Sequence, residues 1–201
     1  MPSDLRTLWR QLHEDWIVHG RDWTKPGFRA LATHRVGNWV RSDWLIKRRS
    51  RIIGKVLWFF YVALYRYIRN HYGIEVYYAT KIGRRVVFGH QSGIVIHHNA
   101  EIGDDCLIRQ NVTIGAVTDA RGHEAPKLGN RVQVGVGAVI VGKVVIGDDV
   151  IIGPNVTVMT NIPSGTTVCA PSPRLIRLPG GNSQTKPLPH KPEQELLAGK
   201  E

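Results

Sequence analysis

A six-residue pulse of aliphatic residues runs through the second half of this 201-residue chain and constrains its fold more than any other feature. Aliphatics stand at Ile82, at Ile96, Ile102, Ile108 and Ile114, and again at Leu128, Val134, Ile140, Ile146, Ile152 and Val158. Four residues after each comes a small or β-branched residue, among them Val86, Ala100, Cys106, Val112, Ala138 and Val150. Self-similarity at so short a period marks a solenoid, in which each repeat buries its apolar side against the next. The frame slips at Phe88-Gly89-His90-Gln91-Ser92-Gly93 and is interrupted again between Gly115 and Leu128. Departures from a strict repeat are where chemistry is to be sought.

A hexad with an aliphatic first position and a small or β-branched fifth suits a triangular, parallel β-helix. Each face contributes one short strand, three hexads make a coil, and successive coils stack about 4.8 Å apart. Asp, Asn and Gly cluster between the strands, at Gly103-Asp104-Asp105, Gly129-Asn130, Gly147-Asp148-Asp149 and Pro154-Asn155, where turns need positive φ or side-chain capping. Because these acidic pairs recur in frame, they read as solvated turns rather than metal ligands, and no metal is expected.

Residues 1–73 read as an α-helical region, 74–178 as the β-helix with a loop at 116–127, and 179–201 as a tail too polar to fold. Ser3 or Asp4 can cap a first helix in which Leu5, Leu8, Leu12 and Trp16 recur at helical spacing. After Pro26-Gly27 a second helix carries Phe28, Leu31, Ala32, Val36, Trp39 and Val40 on one face. The basic run Lys47-Arg48-Arg49-Ser50-Arg51 then leads into the apolar stretch Val56–Leu64, which is far short of the roughly 20 residues a membrane crossing takes. Two readings stay open for it: a helix packed on the solenoid or a neighbouring subunit, or an interfacial helix with its arginines at anionic headgroups. The opening Met-Pro-Ser-Asp-Leu-Arg has no apolar signal core, so a cytoplasmic location is expected, with peripheral contact at the inner membrane face as the variant.

A net charge of +11 and a pI near 10.1 point to an anionic partner without choosing one. No nucleic-acid reading motif accompanies the charge, so nucleic acid is not expected. The two cysteines, Cys106 and Cys169, are too far apart for a zinc knuckle or disulfide framework and read as buried structural thiols.

The run from Ile82 to Pro163, with its helical prelude, resembles the acyltransferases built on hexapeptide repeats, and within them the serine acetyltransferase family, which includes acetyltransferases of exopolysaccharide and capsule synthesis. The residues that carry the likeness are Gly27-Phe28-Arg29-Ala30-Leu31, Arg35-Val36-Gly37-Asn38-Trp39, Lys81-Ile82-Gly83, His90 with Gly93-Ile94-Val95, Val112-Thr113-Ile114-Gly115 and Pro126-Lys127-Leu128-Gly129. The resemblance implies a left-handed parallel β-helix, a homotrimer, and acetyl-CoA as co-substrate with a hydroxyl acceptor. The family's catalytic histidine falls on His90, which would act as general base, since imidazole titrates near neutral pH. Its carboxylate partner falls on Glu75, fifteen residues upstream, where the family has aspartate. The oxyanion donor falls on the backbone N–H of Ala116, just after Ile114-Gly115. Gly115, Gly135, Gly137, Ala138 and Gly142 would let the pantetheine arm approach the backbone, with Lys143 and Arg131 meeting phosphates.

The loop 116–127 departs from the pattern. Serine acetyltransferases carry Arg-His immediately before the Pro-Lys pair, whereas this chain has Glu124-Ala125 there, with His123 nearby but out of register. A glutamate cannot fork onto a carboxylate as arginine does. His123, Glu124 and Asp15 (with Asp22 as an alternative for the amine) are the candidate acceptor contacts. The tail ends Ala198-Gly199-Lys200-Glu201, without the isoleucine that docks into cysteine synthase, so that partner is not expected. These departures favour a hydroxyl of a sugar or polysaccharide intermediate as acceptor. L-serine is the first alternative, and a non-catalytic trimeric scaffold the second.

Overall fold

A computed structural model describes residues 4–42, 51–90, 92–119 and 122–172. The tail read over 179–201 and most of the basic run at 47–51 lie outside the described residues. Among the described residues three helices precede the solenoid: α1 (Leu5–Val18), α2 (Pro26–Val40) and α3 (Arg51–Tyr72). Of the two candidate caps it is Asp4 that starts α1, its Oδ1 accepting from the Thr7 N–H at 2.7 Å. Pro26 opens α2, where a missing N–H costs nothing. Gly37 lets α2 meet α3, since a Cβ there would stand 2.2 Å from the buried Tyr61 ring.

The rest of the described chain is built on a parallel β-solenoid with three faces. The first face stacks Ile74–Val76, Ile94–Ile96, Thr113–Gly115, Val139–Val141 and Thr157–Val158. The second stacks Lys81–Ile82, Glu101–Ile102, Lys127–Leu128 and Val145–Ile146, and the third Val87–Gly89, Leu107–Arg109, Gln133–Val134, Ile151–Ile152 and Thr167–Val168. The pulse of aliphatics is the core. Ile108, Ile114, Ile140, Ile146 and Ile152 are each at most 1% exposed, and such burial stabilises by roughly 1.5–3 kcal/mol per side chain. Cys106 joins this core, burial raising its thiol pKa to about 11, whereas Cys169 is exposed, against the expectation of two buried thiols.

Both breaks in the repeat appear as changes in coil length. Phe88 and Ile96 point inward eight residues apart, where Ile108 and Ile114 in the next coil are six apart. Ile114 and Leu128 are fourteen apart, where Ile140 and Ile146 are six apart. The first excess is absorbed at the corner carrying His90. The second becomes an antiparallel hairpin, Val117–Asp119 against Gly122–Glu124.

Polar side chains latch the helices onto the first coil. Arg35 donates to the carbonyls of Ile82 (2.7 Å) and Gly83 (2.5 Å), and His34 Nε2 lies 2.9 Å from that of Thr80. Asn38 donates to the Tyr78 carbonyl at 3.1 Å, and the Phe88 N–H donates to His19 Nε2 at 3.3 Å. Arg35 is in turn paired with Asp15 at 3.0 Å, both side chains almost wholly buried. Losing either partner would strand a buried charge, which typically costs about 3–5 kcal/mol. Burial holds His34 neutral, its pKa lowered to about 3.

Candidate active site

The three corners of the solenoid differ in what their side chains face. Between the second and third faces, each coil caps the one before. Asp104 Oδ1 accepts from the Arg84 N–H (2.8 Å), Asn130 Oδ1 from the Asp104 N–H (2.9 Å), and Asp148 Oδ1 from the Asn130 N–H (2.7 Å). Arg85 and Arg131 fork onto Asp105 and Asp149 at 2.6–2.8 Å. Arginine beside them lowers the pKa of both aspartates. Arg131, a candidate phosphate contact, is therefore committed to Asp149, on a different corner from Gly115 and Lys143. The structure removes it from the cofactor set.

Between the third and first faces stands His90, exposed, with its backbone in the left-handed region at φ 67°. Ser92 (φ 90°) and Gly93 (φ 70°) follow in the same region. Gly93 is required there, because a Cβ would meet Asn111 Oδ1 at 2.3 Å. Backbone held this way by its surroundings is a common mark of functional sites. The imidazole shares a cleft of about 710 Å³ with Lys25, His19, Phe88, Arg109 and Gln110, and among the described residues no carboxylate lines it. Arg109 pairs in register with Gly89, immediately before His90. Neither Lys25 nor Arg109 is in an ion pair among the described residues. Sequence reading missed both; the in-frame pairing of Arg109 with Gly89, one residue before His90, was the available signal. Higher on this corner, Gly135 and Gly137 have their Cβ directions filled by the coil above, at 2.7 Å from Gly153 and 2.3 Å from Asn155. Ala138 points into the core. These three could meet a cofactor only through backbone.

Between the first and second faces lie Gly115, Ala116, the hairpin with His123 and Glu124, and Gly142-Lys143. Gly115, Ala116 and Glu75 line a cleft of about 600 Å³ with Tyr65, Arg69, Tyr77 and His97. The Ala116 N–H donates to none of the described residues. Glu124 accepts from Lys143 at 2.7 Å. His123 pairs with Thr118 across the hairpin.

Two expected roles are not met within the chain. Glu75 does not touch His90 and the two line different clefts. The first coil is twenty residues long, so the register of Glu75 falls on Val95, and a residue fifteen downstream sits on a corner instead of above it. Asp15, the candidate amine contact, is 0% exposed and committed to Arg35, with burial pushing its carboxyl pKa up against that cation. Among the described residues no group of three His, Cys, Asp or Glu could hold a metal ion. None of their helices is long and apolar enough to cross a membrane.

Residues 125–159 match the family described as bacterial transferase hexapeptide (six repeats). The chain is 38% identical over 151 residues to the serine acetyltransferase of Helicobacter pylori (strain ATCC 700392 / 26695), an alignment covering 75% of this chain and 81% of that one. It is 31% identical over 153 residues to the serine acetyltransferase of Escherichia coli (strain K12), covering 76% of this chain and 52% of that one. Among solved structures, soybean serine acetyltransferase complexed with serine superposes with a TM-score of 0.66 at 28% identity, covering 88% of this chain and 70% of that one. Serine acetyltransferase from Vibrio cholerae superposes at 0.68 and 26% identity, covering 82% of this chain and 64% of that one. These relatives overturn the sugar or polysaccharide acceptor inferred from Glu124 and Ala125, and with it the likeness to exopolysaccharide and capsule enzymes. A lost arginine in the hairpin is not the loss of all carboxylate recognition, since the cleft beside His90 holds Lys25 and Arg109, neither ion-paired among the described residues.

Proposed function

The chain belongs to the serine acetyltransferase family, and from that premise we propose that it transfers acetyl from acetyl-CoA to the hydroxyl of L-serine, with His90 as general base. The observation that supports the reading is the His90 corner: an imidazole on left-handed backbone, in a cleft with Arg109 and Lys25 and, among the described residues, no competing carboxylate. Arg109 and Lys25 hold the serine carboxylate, taking the part that the missing Arg-His pair cannot. The serine hydroxyl gives its proton to the His90 ring as its oxygen attacks the thioester carbon. The C–S bond then breaks, and the departing thiolate recovers the proton from the imidazolium, leaving O-acetylserine and CoA.

The oxyanion needs a donor aimed at it, worth about 10²–10³ in rate, and Ala116 N–H fills that role. Ala116, Glu75 and Lys143 belong to the opposite end of the first face from His90. A trimer in which the His90 corner of one protomer meets the Ala116 corner of its neighbour completes the site. In that arrangement Gly142 and Lys143 flank the acetyl-CoA arm, and Glu75 of the adjacent protomer orients His90.

Thiol release from acetyl-CoA, measured with purified protein with and without L-serine, tests the proposal. Serine-dependent release with O-acetylserine identified by mass spectrometry is the expected result. Release that does not depend on L-serine, or none, overturns it.

A further inference from the structure

Helix α3 presents an apolar face that nothing in the described structure covers. Ile53, Val56, Phe59, Phe60, Leu64 and Tyr67 are 44–70% exposed. At 100° per residue they fall within roughly 140° of arc. Tyr61 and Ile68, on the other side of the helix, pack against the body. The exposed strip therefore adds to the packing face instead of being part of it.

The strip continues past Leu64 into an apolar groove of about 380 Å³ between α1 and α2, lined by Trp9, Leu12, Trp16, Phe28 and Val36. Its other flank, beside Phe59, carries Lys55, Arg66 and Arg69, none ion-paired among the described residues. Contiguous apolar surface of this extent on a polar body marks a contact with a partner or a lipid surface.

Charge selects between those occupants. From Trp44 to Ile74 the chain has seven lysines and arginines and no aspartate or glutamate. A second copy laid on the strip through the same patch would set cation against cation. An anionic surface with an apolar interior matches both the flank and the face. The helix runs about 33 Å, and its cations and polar body keep it in the interfacial plane.

We propose that α3 and the adjoining α1–α2 groove dock this protein on anionic phospholipid membranes, with Phe59 and Phe60 entering the acyl boundary and Lys55 and Arg66 meeting headgroup phosphates. This is independent of which hydroxyl the enzyme acetylates.

The full chain is sedimented with vesicles of phosphatidylcholine alone or with one part in three phosphatidylglycerol, while sedimentation velocity reports its oligomeric state. Affinity for the anionic vesicles is expected to exceed that for neutral ones at least about tenfold, because each surface cation near such a membrane contributes roughly fivefold. Lys55→Glu with Arg66→Glu lowers it by about tenfold or more, and Phe59→Glu with Phe60→Glu abolishes it, both with oligomeric state and L-serine turnover unchanged. Wild-type protein that ignores anionic vesicles, or binds both kinds equally, overturns the proposal. So does vesicle binding that survives the charge pair, or a phenylalanine pair that dissociates an assembly and thereby shows a second copy on the strip. Should the phenylalanine pair fail to fold, the charge pair decides alone.

Discussion

At the corner between the second and third faces, Arg85, Asp105, Arg131 and Asp149 all take left-handed backbone, with φ between 54° and 58°. At the corner between the third and first faces, His90, Asn111 and Asn155 do the same, with φ between 55° and 67°. The backbone solution is shared, but the side chains are used differently. On the first corner every arginine described has a carboxylate, Glu14 for Arg84 and an aspartate for Arg85 and Arg131, and each coil's amide is capped by the coil above. At the second corner Arg109, with Lys25 across the cleft, has no ion-pair partner among the described residues, beside the only histidine lining that cleft with left-handed backbone. A solenoid can therefore spend one edge on its own cohesion and hold another in reserve for a ligand, with no change of fold.

The comparison breaks first at His90. His90→Ala is expected to lower acetyl transfer by about 10²-fold or more in kcat, with the circular dichroism spectrum unchanged, since loss of a general base has that size. Turnover within a few-fold of wild type would make this corner as structural as the other. Gly93→Ala comes next. Left-handed backbone and the contact with Asn111 together should cost about 2–3 kcal/mol in denaturant unfolding, and kcat should fall as the turn holding His90 shifts. Arg109→Ala sharpens the contrast further. The KM for L-serine should rise about ten- to a hundredfold with kcat nearly constant, the size of one charge-assisted hydrogen bond, and Arg109→Lys should restore part of it. An unchanged KM would separate the cation from acceptor binding.

The smallest effect belongs to the ordered corner. Asp149→Asn should shift Tm by no more than about 2 °C at pH 7 and leave turnover alone, as exposed pairs contribute little. Its signature is in acid. The pKa values of Asp105 and Asp149 are lowered by their arginines, so their stabilisation is present above the ordinary carboxylate value of 3.8 and is lost as pH falls through the native values. His34 adds an earlier loss. Neutral in the fold down to about pH 3, it favours the unfolded chain progressively as pH drops below 6.5. Tm measured from pH 7 to 2 should thus fall in two stages, and Asp149→Asn should flatten only the second.

Much of this was legible in the sequence because one-dimensional periodicity maps directly onto a repeat. The aliphatics at Ile102, Ile108, Ile114 and Ile140 are core, and the slip at Phe88–Gly93 is a two-residue excess at a corner. What periodicity does not carry is which corner a residue occupies relative to another. Glu75 and His90 look like neighbours if a coil is fifteen to eighteen residues, but this coil has twenty. Asp15 looked available because nothing in a helical pattern reveals that Arg35, twenty residues on, will fold back onto it. Arg109 was invisible for the converse reason, reading as an ordinary outward residue of the repeat although its in-frame partner is Gly89, next to His90. Conversely, the apolar run of α3 was readable, but which arc of it the body would leave uncovered was not.

The latch from helices to first coil has a consequence for growth. A parallel coil ends in a row of unspent carbonyls and amides, and such an edge invites another β-chain to extend it. Here the carbonyls of Tyr78, Thr80, Ile82 and Gly83 and the amide of Phe88 are already occupied by Asn38, His34, Arg35 and His19. The helices are thus a chain terminator for the stack, blocking end-to-end fibre assembly at that edge with side chains that no added strand can displace without exposing the Asp15–Arg35 pair.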